Sequence, residues 1–259
     1  MKTAAVPLRL EDATFRGVLW QAAPGRFLLD LPDVARFLVE EGKRVTVDPS
    51  STADEWELCR FARMTPLAAL LYQRGMLALH AATVAAPKGG AILIAGDSGA
   101  GKSTLLAALL QRGWRFLGDD LAAVALQENG LPMVMPIYAE LTLRPDAMEK
   151  LAFDGGHPGR RHLIKEENFI AIAQSLRMLY RLSVHKDGIE MAHIKGMKIL
   201  DTLTKLSYNS RIADALFDRS AYLHLASVIA RTVPVRSLRR PRGRWCADEL
   251  ADLVEKEHR

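Results

Sequence analysis

Cysteine is scarce in this chain, which has only Cys59 and Cys246 in 259 residues. Two isolated thiols supply neither a disulfide framework nor a metal-ligand spacing, so they read as buried thiols in a reducing compartment. Long apolar runs are missing too: no stretch of 18 apolar residues occurs. Nor does the N-terminus join a basic head, an apolar core and a small-residue cleavage site. The expectation is a cytoplasmic chain that is neither exported nor membrane-bound. Neither sign of charge dominates, because the net charge is only +5 with 25% charged residues; that small excess suits an anionic partner without demanding one. Internal repeats and low-complexity tracts are lacking as well, and 49% hydrophobic residues over this length can bury a sizeable core.

Before residue 50, short apolar runs at Phe15 to Trp20, Phe27 to Leu31 and Arg44 to Val47 are separated by Pro24-Gly25, Pro32 and Glu41-Gly42-Lys43. That punctuation predicts a small β-rich subregion over 1–50, with 51–259 forming the main domain in one compact unit with it. From Ala53 to Gly75 the apolar spacing is helical, and Pro66 predicts a break between two helices. Met76 to Gly96 reads as two strands around a turn. Then come strand Ala91 to Ala95, a glycine-rich turn, helix Lys102 to Arg112 and strand Arg115 to Leu117, the alternation expected of an α/β fold. Ala122 to Leu126, Val134 to Ile137 and Glu140 to Leu143 follow as strands, with Glu128-Asn129-Gly130 as a hairpin turn, so the sheet is expected to be mixed. Gly155 to His162 is too rich in glycine, proline and charge for regular structure. Beyond it we expect a strand near Met178 to Val184, helices near Lys195 to Lys205 and Asp218 to Ala230, a strand at Val233 to Leu238 and a last helix from Ala247.

Gly96-Asp97-Ser98-Gly99-Ala100-Gly101-Lys102-Ser103 satisfies the G-x-x-x-x-G-K-[ST] phosphate-loop pattern, and it lies between an apolar strand and a helix as the chemistry requires. Its glycines let backbone N–H groups turn inward around phosphates, and the helix start adds a positive dipole end. Lys102 reaches the β- and γ-phosphates and Ser103 ligates Mg²⁺, with Thr104 next in line on the helix. Phosphate binding alone does not separate a switch, a motor and a kinase; the position of the acidic partners does. Asp119 and Asp120 come 17 and 18 residues after Lys102, at the carboxyl end of the next apolar strand. There one carboxylate can hold Mg²⁺ while the other accepts the proton of an attacking hydroxyl. Transporter-type ATPases would need a Leu-Ser-Gly-Gly-Gln signature, and GTPase switches an Asn-Lys-x-Asp element; neither occurs. His80, in Leu79-His80-Ala81-Ala82, is placed on the strand before the phosphate strand, where it could approach the aspartates.

Leu-His-Ala-Ala, the phosphate loop, Arg112-Gly113 and Asp119-Asp120, in that order, resemble the catalytic domain of the HPr serine kinase/phosphorylase family over residues 70 to 145. The resemblance implies a P-loop kinase core of HPr-kinase type: an α/β fold whose mixed β-sheet is flanked by helices, with ATP and Mg²⁺ as cofactors. It makes Asp119 the base toward a serine hydroxyl, His80 its neighbour, and Asp120 a supporting or Mg²⁺-linked carboxylate. Glu140, in Ala-Glu-Leu-Thr-Leu-Arg, stands for the family's downstream metal-linked glutamate. Thr104 replaces an acidic residue, and the upstream part is short. Those departures turn the resemblance toward a branch similar to lasso-peptide tailoring kinases, which phosphorylate a serine at the C-terminus of a precursor peptide. The implied partner is a peptide or small protein with an acceptor serine, and a homo-oligomer is compatible with the sequence.

Two readings of other classes stay open. One is a small-molecule kinase of shikimate-kinase-like layout, although such chains begin with the phosphate loop and 95 residues precede Gly96 here. The other is a regulator that binds nucleotide and transfers nothing. Arg160 and Arg161 could grip a peptide carboxylate or the transferring phosphoryl group, or simply form a solvated basic loop. Five arginines between Arg236 and Arg244 could signal nucleic acid. No aromatic stacking platform or reading motif accompanies them, so nucleic acid is not the expected partner.

Overall fold

A computed structural model describes residues 1–153 and 161–258. Its chain divides into two compact units, the first built from Met1–Ala78 with Ser207–His224 and the second from Leu79–Leu206 with Leu225–Arg259. The dividing point is therefore residue 78 rather than 50, and a later segment returns to the first unit. No helix among the described residues is long and apolar enough to cross a membrane.

The first unit is a six-stranded sheet of β1 (Lys2–Thr3), β2 (Phe15–Arg16), β3 (Trp20–Ala23), β4 (Arg26–Leu31), β5 (Ala35–Glu40) and β6 (Arg44–Pro49), ordered β1-β6-β5-β4-β3-β2. Along β5 buried and half-buried residues alternate, the period expected of a strand with one face on a core. Helix α1 (Glu55–Ala62) starts at Asp54, whose carboxylate accepts from the Glu57 N–H at 2.7 Å. Helix α2 (Thr65–Gln73) has Pro66 in its first turn, where a missing N–H costs nothing, so the proline separates the two helices as expected. α2 packs on β5 and β4, which is why residues 51–78 belong with the sheet. The returning segment brings α6 (Ser210–Leu216) against α2, and the Phe217 ring lies tilted with its centroid 5.9 Å from that of Tyr72.

The second unit is mixed α/β. Its strands β8 (Ala81–Ala85), β9 (Ala91–Ala95), β10 (Arg115–Gly118), β15 (Gln174–His185), β16 (Glu190–Ile194) and β17 (Val235–Pro241) lie in the order β10-β8-β9-β15-β17-β16. β15 runs parallel to both β9 and β17, whereas β8 is antiparallel to β9 and β10. β11 (Ala122–Leu126) and β12 (Pro132–Met135) form a hairpin joined through β12 to the start of β15. Helices α3 (Lys102–Leu110) and α8 (Ala247–His258) cover the sheet, and Ala247, Leu250, Ala251 and Val254 give α8 the i, i+3, i+4, i+7 stripe that faces the core. Ile92, Ile94, Leu105, Leu106, Leu109 and Phe116 are buried there, each contributing about 1.5–3 kcal/mol if fully withdrawn from water.

Met76 to Gly96 holds three strands rather than two, since β7 (Leu77–Leu79) and β8 are separated at His80. β13 (Glu140–Thr142) pairs antiparallel with β14 (Arg161–Leu163), so Arg161 and His162 lie in a strand. The expectation of irregular structure there fails because β13 offers them a pairing edge. Residues 154–160, including Arg160, lie outside the described residues. α4 (Pro145–Lys150) follows β13, α5 (Met197–Leu206) precedes the returning segment, and α7 (Arg219–Thr232) leads out of it.

Candidate active site

The carboxyl end of β9 is where the second unit stops being apolar. All five residues of β9 are buried, and at Gly96 the chain turns so tightly past β15 that a Cβ would sit 2.1 Å from the Leu182 carbonyl oxygen. Only glycine fits. Gly101 has φ 104 and opens α3, and a Cβ there would meet Arg240 Nε at 3.2 Å. The phosphate loop is thus closed against β15 on one side and against the end of β17 on the other.

Lys102 is buried and donates to the Gly96 and Asp97 carbonyls at 3.0 and 3.2 Å. Burial lowers the proton affinity of its ammonium, while Asp120, Asp119 and Asp97 raise it. Ser103 Oγ donates to Asp119 Oδ1 at 3.1 Å. This is the juxtaposition that the spacing of 17 residues predicts.

The two aspartates part company at a turn. A register shift between Phe116 and Gly118 ends β10, where Thr83 Oγ1 donates to the Gly118 carbonyl at 3.1 Å. Asp120 then takes φ 65, and Leu121 N–H donates to the Asp119 carbonyl at 2.8 Å, closing a three-residue turn that few non-glycine residues adopt. Asp119 points inward and is 2% exposed; its Oδ2 accepts from Thr142 N–H at 3.4 Å. Asp120 is exposed and lines the cleft. Burial, with the Asp120 charge added, pushes the Asp119 carboxyl up to about 7 against the Ser103 and Thr142 hydrogen bonds.

His80 occupies the bend between β7 and β8, not a strand, because its N–H is taken by the Leu206 carbonyl at 2.8 Å and the ladder with β9 begins at Ala81. Antiparallel β8 starts beside the end of β9, so His80 reaches the phosphate-loop edge and lines the cleft with Lys102 and Asp120. Burial and the Lys102 ammonium lower its proton affinity more than Asp120 and Asp97 raise it, leaving a neutral imidazole at pH 7.

These residues open onto a cleft of about 490 Å³. Ser98, Gly99, Gly101, Ser103 and Thr104 contribute to its walls. Glu140 does not, and the β13 residue that does is Thr142. Arg161 stands opposite Thr142 in the β13–β14 register, which places its backbone beside this wall. Sequence reasoning missed Arg240. Its Nε donates to the Ala100 carbonyl at 2.6 Å and Nη2 to the Gly99 carbonyl at 3.1 Å, so one member of the arginine cluster braces the phosphate loop. The signal was register: β17 lies parallel to β15, and its end comes level with the loop. The contribution of Arg144, Ala147, Lys150, Trp245 and Leu250 to the cleft wall was not foreseen either.

As a metal site, the Ser103 hydroxyl and the Asp119 carboxylate form an all-oxygen pair, the hard donor chemistry that suits Mg²⁺. A carboxylate whose proton affinity is raised by burial and a neighbouring negative charge is also one that a cation would relieve.

No protein-family model matches the chain, and no curated protein sequence does. Among solved structures it is similar to the Hpr(Ser) kinase/phosphatase from Coxiella burnetii, with 12% identity and a TM-score of 0.38 over 70% of this chain and 95% of that one.

Proposed function

We propose that this chain is an ATP- and Mg²⁺-dependent kinase that phosphorylates a serine hydroxyl of a peptide or small protein, the C-terminal serine of a lasso-peptide precursor being the specific acceptor. The observation that carries the kinase reading is the Ser103–Asp119 hydrogen bond at 3.1 Å beneath a cleft into which Asp120 projects. It joins a phosphate loop to two carboxylates of different accessibility. The acceptor class rests on the sequence resemblance.

In this reading the phosphate-loop residues 96–104 hold the triphosphate and Lys102 leaves the loop carbonyls for the β- and γ-phosphates. Ser103 and Asp119 would hold Mg²⁺, which when bound neutralises charge on the phosphate oxygens. Asp120 takes the proton of the serine hydroxyl as its oxygen bonds to the γ-phosphorus, and the bond to the β,γ-bridging oxygen breaks to release ADP. This exchanges the roles that the resemblance implies, in which Asp119 is the base and Asp120 metal-linked. The reason is access: a base must touch the acceptor, and Asp119 is covered. Neutral His80 is a positioning neighbour of Asp120. Arg160 and Arg161 remain proposed contacts for the peptide carboxylate.

The test incubates the protein with labelled ATP, Mg²⁺ and candidate precursor peptides, and locates added phosphate by mass spectrometry. An acid-stable phosphoserine is expected. A product lacking phosphoserine removes the serine-kinase reading, and equal rates for free-acid and C-terminally amidated peptides remove Arg160 and Arg161 from recognition.

A further inference from the structure

The lining of the cleft falls into two chemically different groups. One is polar and carries Lys102, Ser103, His80 and Asp120. The other comes from α4 and from the segment that leaves β17 for α8, and among the described residues that line the cleft Trp245 is the only Phe, Tyr or Trp. Its indole is half-buried, seated against the core of the second unit, and it carries on its face the ammonium of the exposed Lys150, 5.2 Å from the ring centroid. A flexible, solvated lysine is an easily displaced cap on an otherwise available aromatic face.

The direction of a bound nucleotide links the two groups. In a phosphate loop the lysine serves the β- and γ-phosphates, while amides at the start of the helix serve the phosphates nearer the nucleoside. A chain of phosphates bound there would therefore run from Lys102 past Ser103 toward Thr104. Near the end of β17, Arg240 is fixed to the Gly99 and Ala100 carbonyls of the loop, and five residues further along the chain, in the connection to α8, stands Trp245 in the wall of the same cleft. The arginine ties this connection to the loop, so the indole's position is set relative to the phosphates rather than left to a free loop.

We infer that Trp245 is the nucleobase platform of the cleft: the base of a nucleoside di- or triphosphate stacks on the indole in place of the Lys150 ammonium, and Arg240 holds that platform in register with the phosphate loop. The inference rests on the phosphate-loop reading of residues 96–103 but assigns a separate site and ligand moiety. Stacking needs no base-edge readout, in keeping with the lack of an Asn-Lys-x-Asp element.

Calorimetric titration of the full chain with ADP and, separately, with inorganic tripolyphosphate, both with Mg²⁺, tests this. Trp245→Ala should weaken ADP roughly 10- to 100-fold, the worth of one base–aromatic stack, and leave tripolyphosphate unchanged. Trp245→Phe should restore ADP binding to within about threefold, because any aromatic face can stack. That rescue, with matching circular dichroism, separates a lost stack from a lost fold. Equal ADP affinity for wild type and Trp245→Ala overturns the inference. So does an unchanged ADP affinity accompanied by a raised KM for the acceptor peptide, which would give the indole to the peptide. If the wild type binds neither ADP nor tripolyphosphate, the phosphate-loop reading itself fails and this inference with it, an outcome distinct from one in which both bind and only the Trp245 variants disagree.

Discussion

The two units bury different things. In the first, Phe27, Phe37, Val39 and Tyr72 form an interior of apolar bodies, and its ion pairs, such as Arg26–Asp12, Arg44–Glu40 and the half-buried Arg36–Asp48, all keep some contact with water. In the second, an equally apolar sheet ends in the two charged side chains that are buried among the described residues, Lys102 and Asp119. Burying charge costs several kcal/mol unless it is hydrogen-bonded and paired. Here both groups are hydrogen-bonded, yet the proton affinity of each is displaced from its usual value. One unit therefore spends its residues on stability, and the other gives some stability up at one sheet edge in exchange for poised groups.

That contrast can be broken by mutation. The largest effect should come from Asp120→Asn, which removes the accessible carboxylate: turnover should fall by roughly 10²–10⁴ while ADP affinity stays within a modest factor. Near-normal turnover would return the base to Asp119 or to neither. Lys102→Ala should lower transfer by roughly 10²–10³ with an unchanged circular dichroism spectrum, because the side chain bonds only to the loop it would leave for a ligand. In the first unit, Phe37→Ala should cost about 3–5 kcal/mol in denaturant unfolding, the usual penalty for emptying a fully buried aromatic site. A large loss of stability without a matching loss at the phosphate loop is what an apolar interior predicts.

The smallest and most discriminating effect concerns pH. Asp119 holds its proton to about pH 7 when folded but only to about 4 when unfolded. Between those values the native state binds more protons, so stability falls as pH rises through the window. Asp119→Asn, which stays neutral, should melt about 5 °C above wild type at pH 8, and the gap should close toward pH 4. A gap that does not change with pH would mean that Asp119 is ionised throughout. Added Mg²⁺ should narrow the difference at pH 8 by stabilising the wild-type carboxylate alone.

Much of this architecture is legible in the sequence because it is encoded locally. The glycine-rich turn before Lys102, strand Ala91 to Ala95, the helix from Lys102 and the break at Pro66 each carry their own residue signals, and each lies where those signals put it. The missed features are non-local. β5 and β16 were not foreseen, since a polar-studded strand declares itself only when a partner strand is in register. The return of 207–224 to the first unit has no local cue, because the covering of one helix by another is decided by tertiary packing. Asp119 and Asp120 were found as a pair, but their opposite exposures depend on the positive φ of Asp120, which no composition or period reveals. Arg240 was seen only as one of five arginines; register with β15 singles it out.

The lysine of the phosphate loop rests on two carbonyls of that same loop. Its charge is thereby lodged at the loop, within one side-chain swing of the position proposed for it at the phosphates. The consequence is kinetic. Under the proposed function, nucleotide capture is an exchange of hydrogen-bond acceptors around a scaffold already in shape, so the association rate should follow encounter and ionic strength, with a weak temperature dependence and no lag from loop ordering in a stopped-flow trace.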